Sequence, residues 1–342
     1  MYEGLDLNAT WFILVGVLLT GYAILDGFDL GVGALHLFVK GDKNRRIMIN
    51  SIGPVWDGNE VWLVTGGGAL FAGFPDVYAT VFSSFYPAIM LILVGIIFRA
   101  VAIEFRSKNE SAKWRQSWDI AFSVSSILIA LLFGVALGNI IQGIPVNAEK
   151  EAYISFFSLV NPYAILVGVT TVALFMMHGA IYAVMKTEGE LQVKVRSWVN
   201  NTIIFFVICY VTVTMATLIY IPHMIDVFKA HPEYFALAIL NMLAVANIPR
   251  EIHKGREFMA FLSSSFSIAA LLGLFALGMF PNIVPSTIDT AYNLTAYAHS
   301  SSRKTLEVMI TMALIGIPFV LAYTTSIYWV FRGKVKLDKM SY

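Results

Sequence analysis

The chain has 342 residues, 58% of them hydrophobic and only 13% charged, with a mean hydropathy of +0.73, which is more apolar surface than a soluble core can hide. Basic and acidic residues nearly balance, 23 against 22, which removes any general charge argument for nucleic acid as a partner. The single cysteine, Cys209, excludes an intrachain disulfide, thiolate-rich metal sites and an iron–sulfur cluster built by this chain alone.

The composition predicts an all-α integral membrane protein. The N-terminal stretch "MYEGLDLNATWFILVGVLLTGYAIL" has acidic residues before its apolar run and lacks a small-residue cleavage motif, so it reads as a retained first span. Apolar runs near the roughly 20 residues needed to cross hydrocarbon fall at about 9–38, 53–72, 77–103, 118–142, 160–185, 199–221, 233–248, 258–280 and 305–331. These give about nine transmembrane helices, expected as two four-helix bundles (helices 1–4 over about 9–142, helices 5–8 over about 160–280) and one extra helix, within a single membrane domain over residues 1–342. The segment 233–248 is the shortest and is broken by Asn241 and Asn247. With alternating loops, 19 of the 23 basic residues fall on one side, leaving Lys150, Lys229, Arg303 and Lys304 on the other. By the positive-inside rule, the N-terminus is outside and the C-terminus cytoplasmic. The longest loop, roughly 281–304, is polar and lies outside.

Ionisable residues recur toward the cytoplasmic ends of the first four helices. Asp26 and Asp29 stand three apart in "ILDGFDLGVG", Asp57 and Glu60 three apart in "WDGNEVW", Arg99 lies in "GIIFRAVAIEFR", and Asp119 in "SWDIAF". Residues three apart share a helix face, and charge at this depth is costly unless paired, protonated or hydrated. The excess of carboxylates over Arg99 suits groups that exchange protons with the cytoplasm. Glu60 and Asp119 sit within a turn or two of a helix N-terminus, where a carboxylate also steadies the helix dipole. Gly27, Gly31 and Gly33, and the glycines from Gly66 to Gly73, predict close helix approach. Of six histidines only His178 is well inside a span; it reads as a packing residue, with a haem-ligand role as the less favoured alternative. Trp56 reads as an interfacial anchor or a quinone contact.

In order, "GYAILDGFDLGVGAL" and "RRIMINSIGPVWDGNEVWLVTGGGALFAGFPDVYATVFSSFYPAIMLILVGIIFRAVAIEFR" closely resemble subunit II of the cytochrome bd-type quinol oxidases, densely over about residues 10–120 and more loosely beyond. The resemblance implies a subunit of a terminal oxidase that oxidises quinol and reduces dioxygen to water in a bacterial or archaeal-type cell membrane. It implies haems b and d, or b only, held by a subunit I partner, with no complete catalytic site in this chain. It further implies a structural quinone in some members, and small single-span accessory subunits, lipids and quinol as further partners. Carried onto this sequence, the proton-path candidates are Asp26, Asp57 and Glu60, with Asp29, Arg99 and Asp119 organising the cluster. The rival class is an ion-coupled secondary transporter, although transporter sites lie near the midplane and these acids crowd toward one face.

Overall fold

The computed structural model describes residues 4–337 and 341–342. The chain runs through α1 (Leu7–Leu35), α2 (Asp42–Ile52), α3 (Trp56–Gly73), α4 (Pro75–Ser84), α5 (Tyr86–Phe105) and α6 (Ala112–Gln142). It continues with α7 (Phe156–Leu159), α8 (Pro162–Lys186), α9 (Gly189–Tyr220), α10 (Pro222–Ala230), α11 (Phe235–His253), α12 (Glu257–Met279), a hairpin of β1 (Asn282–Val284) and β2 (Leu294–Thr295), and α13 (Arg303–Val330).

Local chemistry fixes the helix ends. Asp6 caps α1 by accepting from the Ala9 amide at 3.0 Å, Asn161 caps α8 through the Ala164 amide at 2.9 Å, and Ser302 caps α13 through Thr305. Glycines at positive φ stand at two boundaries, Gly41 before α2 and Gly143 after α6. Among the described residues, eight helical segments are long and apolar enough to cross a membrane: those containing α1, α5, α6, α8, α9, α11, α12 and α13. The expected second span is α3, whose 18 residues include Asp57, Asn59 and Glu60 and three successive glycines, which lower its apolarity below the other eight. The expected third span divides at Phe85 into α4 and α5, because Pro87, at the second position of α5, has no amide to continue the ladder. The seventh segment is longer than expected: its helix reaches His253. Residues 42–52, read as a connection, form the short helix α2.

The core lies between two groups of helices. α1 packs on α3 and α6, and α6 on α5; α8, α9, α11 and α12 pack around one another, and α8 joins the groups by lying against α1 and α6. At the α1–α8 crossing the backbones touch. A Cβ placed on Gly31 would stand 1.8 Å from the Phe175 carbonyl oxygen, and one on Gly179 would stand 2.4 Å from the Gly31 carbonyl carbon. The α6–α8 crossing is built alike, with Gly134 against Gly168. The row expected on α3 is less uniform: Gly66 meets Leu19, while Gly67 and Gly68 face open space. The 281–304 segment carries the antiparallel hairpin, which pairs Val284 with Leu294 and takes a bridge from Ile144 to Ser286. Most large apolar side chains of α13, such as Met312, Phe319 and Trp329, are exposed on this chain.

Candidate functional site

α1 carries Asp26 and Asp29 to the helix junction, both fully buried. α5 brings Arg99 opposite them, and α3 brings Asn59 and Glu60. Nη2 of Arg99 donates to Asp26 Oδ1 at 2.6 Å and to Glu60 Oε1, so one guanidinium nitrogen ties three helices. The Arg99 and Asp26 side chains have no exposure, while Glu60 keeps 18%, making Glu60 the edge of the cluster nearest the surface. Asp29 does not reach Arg99. Its Oδ2 accepts from Asn59 Nδ2 at 2.8 Å; the same amide nitrogen donates to the Leu25 carbonyl at 3.1 Å, and Asn59 Oδ1 accepts from the Tyr328 hydroxyl at 2.8 Å. Asn59 thereby joins α1, α3 and α13.

Two carboxyl groups, Asp26 and Glu60, share one guanidinium, and Asp29 lies one helical turn further along α1, held by Asn59. Ten buried side-chain polar atoms lack a protein hydrogen-bond partner among the described residues, and five of them lie here: Tyr22 Oη, Asp26 Oδ2, Asp29 Oδ1, and Nε and Nη1 of Arg99.

Two residues expected in this cluster lie outside it. Asp57 is exposed. Asn59 turns toward α1, and two helical positions rotate Asp57 about 200° from it. Asp119 belongs to a second ionic group, where the ends of α1, α5 and α6 meet α2. It accepts from Arg106 Nε at 2.5 Å and Arg45 Nη1 at 2.9 Å, and stands 2.6 Å from His36 Nε2. Arg106 also reaches Asp42 at 2.9 Å, as does Arg115 at 2.9 Å.

Haem, the cofactor the resemblance implies, does not fit His178, the histidine well inside a span. His178 has both ring nitrogens engaged, Nδ1 with Ser264 Oγ at 2.7 Å and Nε2 with the Ile24 carbonyl at 3.0 Å, and its ring stacks on Phe261 at 4.8 Å. His36 is fully buried, with one nitrogen held by Asp119 and its ring edge-on to Phe122. Trp56 is 9% exposed, within the main apolar core.

The sequence reading missed Asn59, Tyr22 and Tyr328. The signal was present for Asn59, a third polar residue between two acids in "WDGNEVW", but an amide carries no charge and drew no notice.

The model of the family "Cytochrome bd terminal oxidase subunit II" matches residues 7–331. The chain belongs to that family. Cytochrome bd-I ubiquinol oxidase subunit 2 of Escherichia coli (strain K12) is 35% identical over 368 aligned positions, covering 96% of this chain and 95% of the relative. Cytochrome bd ubiquinol oxidase subunit 2 of Bacillus subtilis (strain 168) is 34% identical over 332 positions, covering 96% and 97%. A chain in the structure of bd oxidase from Geobacillus thermodenitrificans has the same fold, with a TM-score of 0.80 over 96% of this chain and 99% of that one at 14% identity. A cytochrome bd subunit II is part of an oxidoreductase complex of the respiratory chain and a multi-pass protein of the bacterial cell membrane, and the carrier reading is set aside.

Proposed function

We propose that this subunit serves a quinol oxidase that reduces dioxygen to water, and that its Asp26–Arg99–Glu60 cluster passes protons from the cytoplasmic side toward a haem-bearing subunit I. The observation that carries the reading is the concentration of unpartnered buried polar atoms around Arg99. Protein interiors satisfy such atoms with protein or ordered water, so five of them on the facing helices α1 and α5 mark a place that water enters. Dioxygen reduction consumes protons, and the partner's haems supply the electron transfer and oxygen chemistry.

The geometry supports a division of roles. Glu60, the part-exposed member, takes up a proton. Arg99 holds Glu60 and Asp26 on one nitrogen, close enough for a water between their free oxygens to hand the proton on. Asp57, exposed one turn earlier on α3, gathers protons at the mouth. The distribution of basic residues supports α3 as a ninth span, with the N-terminus outside and the C-terminus cytoplasmic.

The test is Glu60→Gln and Asp57→Asn in the whole complex. Quinol-driven oxygen consumption is expected to fall about tenfold or more for Glu60→Gln, and to a smaller extent for Asp57→Asn, with haem absorbance retained in both. Unchanged turnover in Glu60→Gln overturns the route; loss of haem absorbance with failed assembly assigns the cluster to structure instead.

A further inference from the structure

The second ionic group borders a pocket that the proton route does not use. The pocket measures about 370 Å³ and is lined in part by Lys40, Arg45, Arg106, Glu110, Arg115 and Asp119, a size within the range of small-molecule sites. Each arginine spends two of its three nitrogens within the chain. Arg45 donates Nε to the Val39 carbonyl and Nη1 to Asp119, and Arg115 donates Nε to the Asn109 carbonyl and Nη1 to Asp42. Arg106 spends Nε and Nη2 on Asp119 and Asp42. Each guanidinium keeps one nitrogen over. That of Arg106, Nη1, is buried without a hydrogen-bond partner, on a side chain only 2% exposed. Lys40 is exposed, and its ammonium has no hydrogen-bond partner among the described residues. The pocket also receives the first turns of α2 and α6, whose N-caps, Gly41 and Ser111, make no side-chain cap bond, so their leading amides are unpaired donors.

Two acids orient the guanidinium planes, and what remains around the pocket is a surplus of donors: three arginine nitrogens, one ammonium and two helix N-termini. A phosphate group matches such a set, being rich in acceptors, anionic, and suited both to guanidinium and to helix amides. We propose that this pocket binds a phosphate group, and that the group is the headgroup of an acidic phospholipid at the rim of the membrane. Two observations favour a lipid as the source. The pocket lies where three apolar helical segments end, a place where basic residues capture headgroups. Beside it, Trp114 and Trp118 pack edge to face at 5.6 Å, and Phe105 and Ile120 are exposed, as in an interfacial aromatic belt.

The experiment uses the purified, delipidated complex and two probes, short-chain phosphatidylglycerol and inorganic phosphate, with binding read by a labelled-complex titration. Both probes are run on the wild type, on Lys40→Gln/Arg115→Gln and on Glu110→Gln. Phosphatidylglycerol is expected to bind, the double substitution to weaken it about fivefold per cation removed, and Glu110→Gln, which removes an acid lining the pocket, to tighten it. Comparable binding of inorganic phosphate with the same variant pattern supports the site but identifies free phosphate as its source. Glu110→Gln guards against a misfolding artefact, because damage does not tighten binding. Absence of binding by both probes, or binding that neither variant moves, overturns the proposal.

Discussion

Substituting Gly31 by alanine tests how the two helix groups are joined. The added Cβ would lie 1.8 Å from the Phe175 carbonyl oxygen, 2.7 Å from its carbon and 2.9 Å from the Gly179 Cα. Carbon–oxygen contacts in proteins settle at about 3.3 Å or more, so α1 and α8 must part by about 1.5 Å. No flexible side chain can give way, because all three obstructing atoms are backbone. The same seam carries the Phe28–Tyr182 stack at 3.9 Å and the His178–Ile24 hydrogen bond at 3.0 Å, and a gap approaching 1 Å already forfeits up to about half of a dispersion contact. Overpacking costs about 1–3 kcal/mol where side chains can adjust, and this case belongs at or above the top of that range, offset by about 1 kcal/mol from alanine's better helix propensity. The net loss is about 2–3 kcal/mol, or a fall of about 3–4 °C in unfolding midpoint for a chain of this length. Gly16→Ala, in the same helix with nothing within 4 Å of the new Cβ, is the matched control and should hold or slightly raise the midpoint. The assay is the fraction of monodisperse complex after heating in detergent. Equal midpoints for the two variants would refute the backbone contact.

Arg99→Gln leaves Asp26 and Glu60 without their buried partner and should cost about 3–5 kcal/mol, more than Gly31→Ala in the same heating assay; adding Asp26→Asn to it should recover part of the loss. His178→Gln should lower the midpoint, at about 1–3 kcal/mol for unsatisfied partners, while the reduced-minus-oxidised haem spectrum of the assembled complex stays unchanged; missing haem bands in an intact complex would contradict the packing role. Asp6 is held below the usual carboxylate range, chiefly by the Ala9 amide and then by the Tyr297 hydroxyl, so its contribution is present above the unfolded value of about 3.9 and is lost as pH falls through the lower folded value. Asp6→Ala should therefore lower the midpoint at pH 7, by the about 0.5–2 kcal/mol of a helix cap, and the gap from wild type should narrow below about pH 4.

The membrane class, the close approach of α1 and the polar residues that matter were readable because each rests on composition or on spacing along one helix. "DGFDLG" announces both Gly31 and the two aspartates. What the linear pattern does not hold is rotation between helices. It placed Asp57 and Glu60 on one face, yet the face is set by Asn59 meeting α1, and that choice needs a partner helix. It likewise grouped Asp119 with Arg99 by depth, whereas the turn after α5 brings Arg106, and the turn after α1 brings His36, onto Asp119 first. The break at Phe85 was missed because apolar residues on both sides hide a proline, and α2 because its amphipathic pattern lies inside a basic loop.

Asn59 is limited by what an amide cannot do. It links Asp29 to the Tyr328 hydroxyl in an unbroken line of hydrogen bonds, and both ends of its side chain are engaged. A carboxamide donates and accepts, yet unlike a carboxyl group or a water it does not readily exchange one role for the other. The line is therefore mechanically continuous and electrically dead, an insulator set between Asp29 and the rim helix α13. On the route proposed above, a proton at the aspartates of α1 has no side exit by that path.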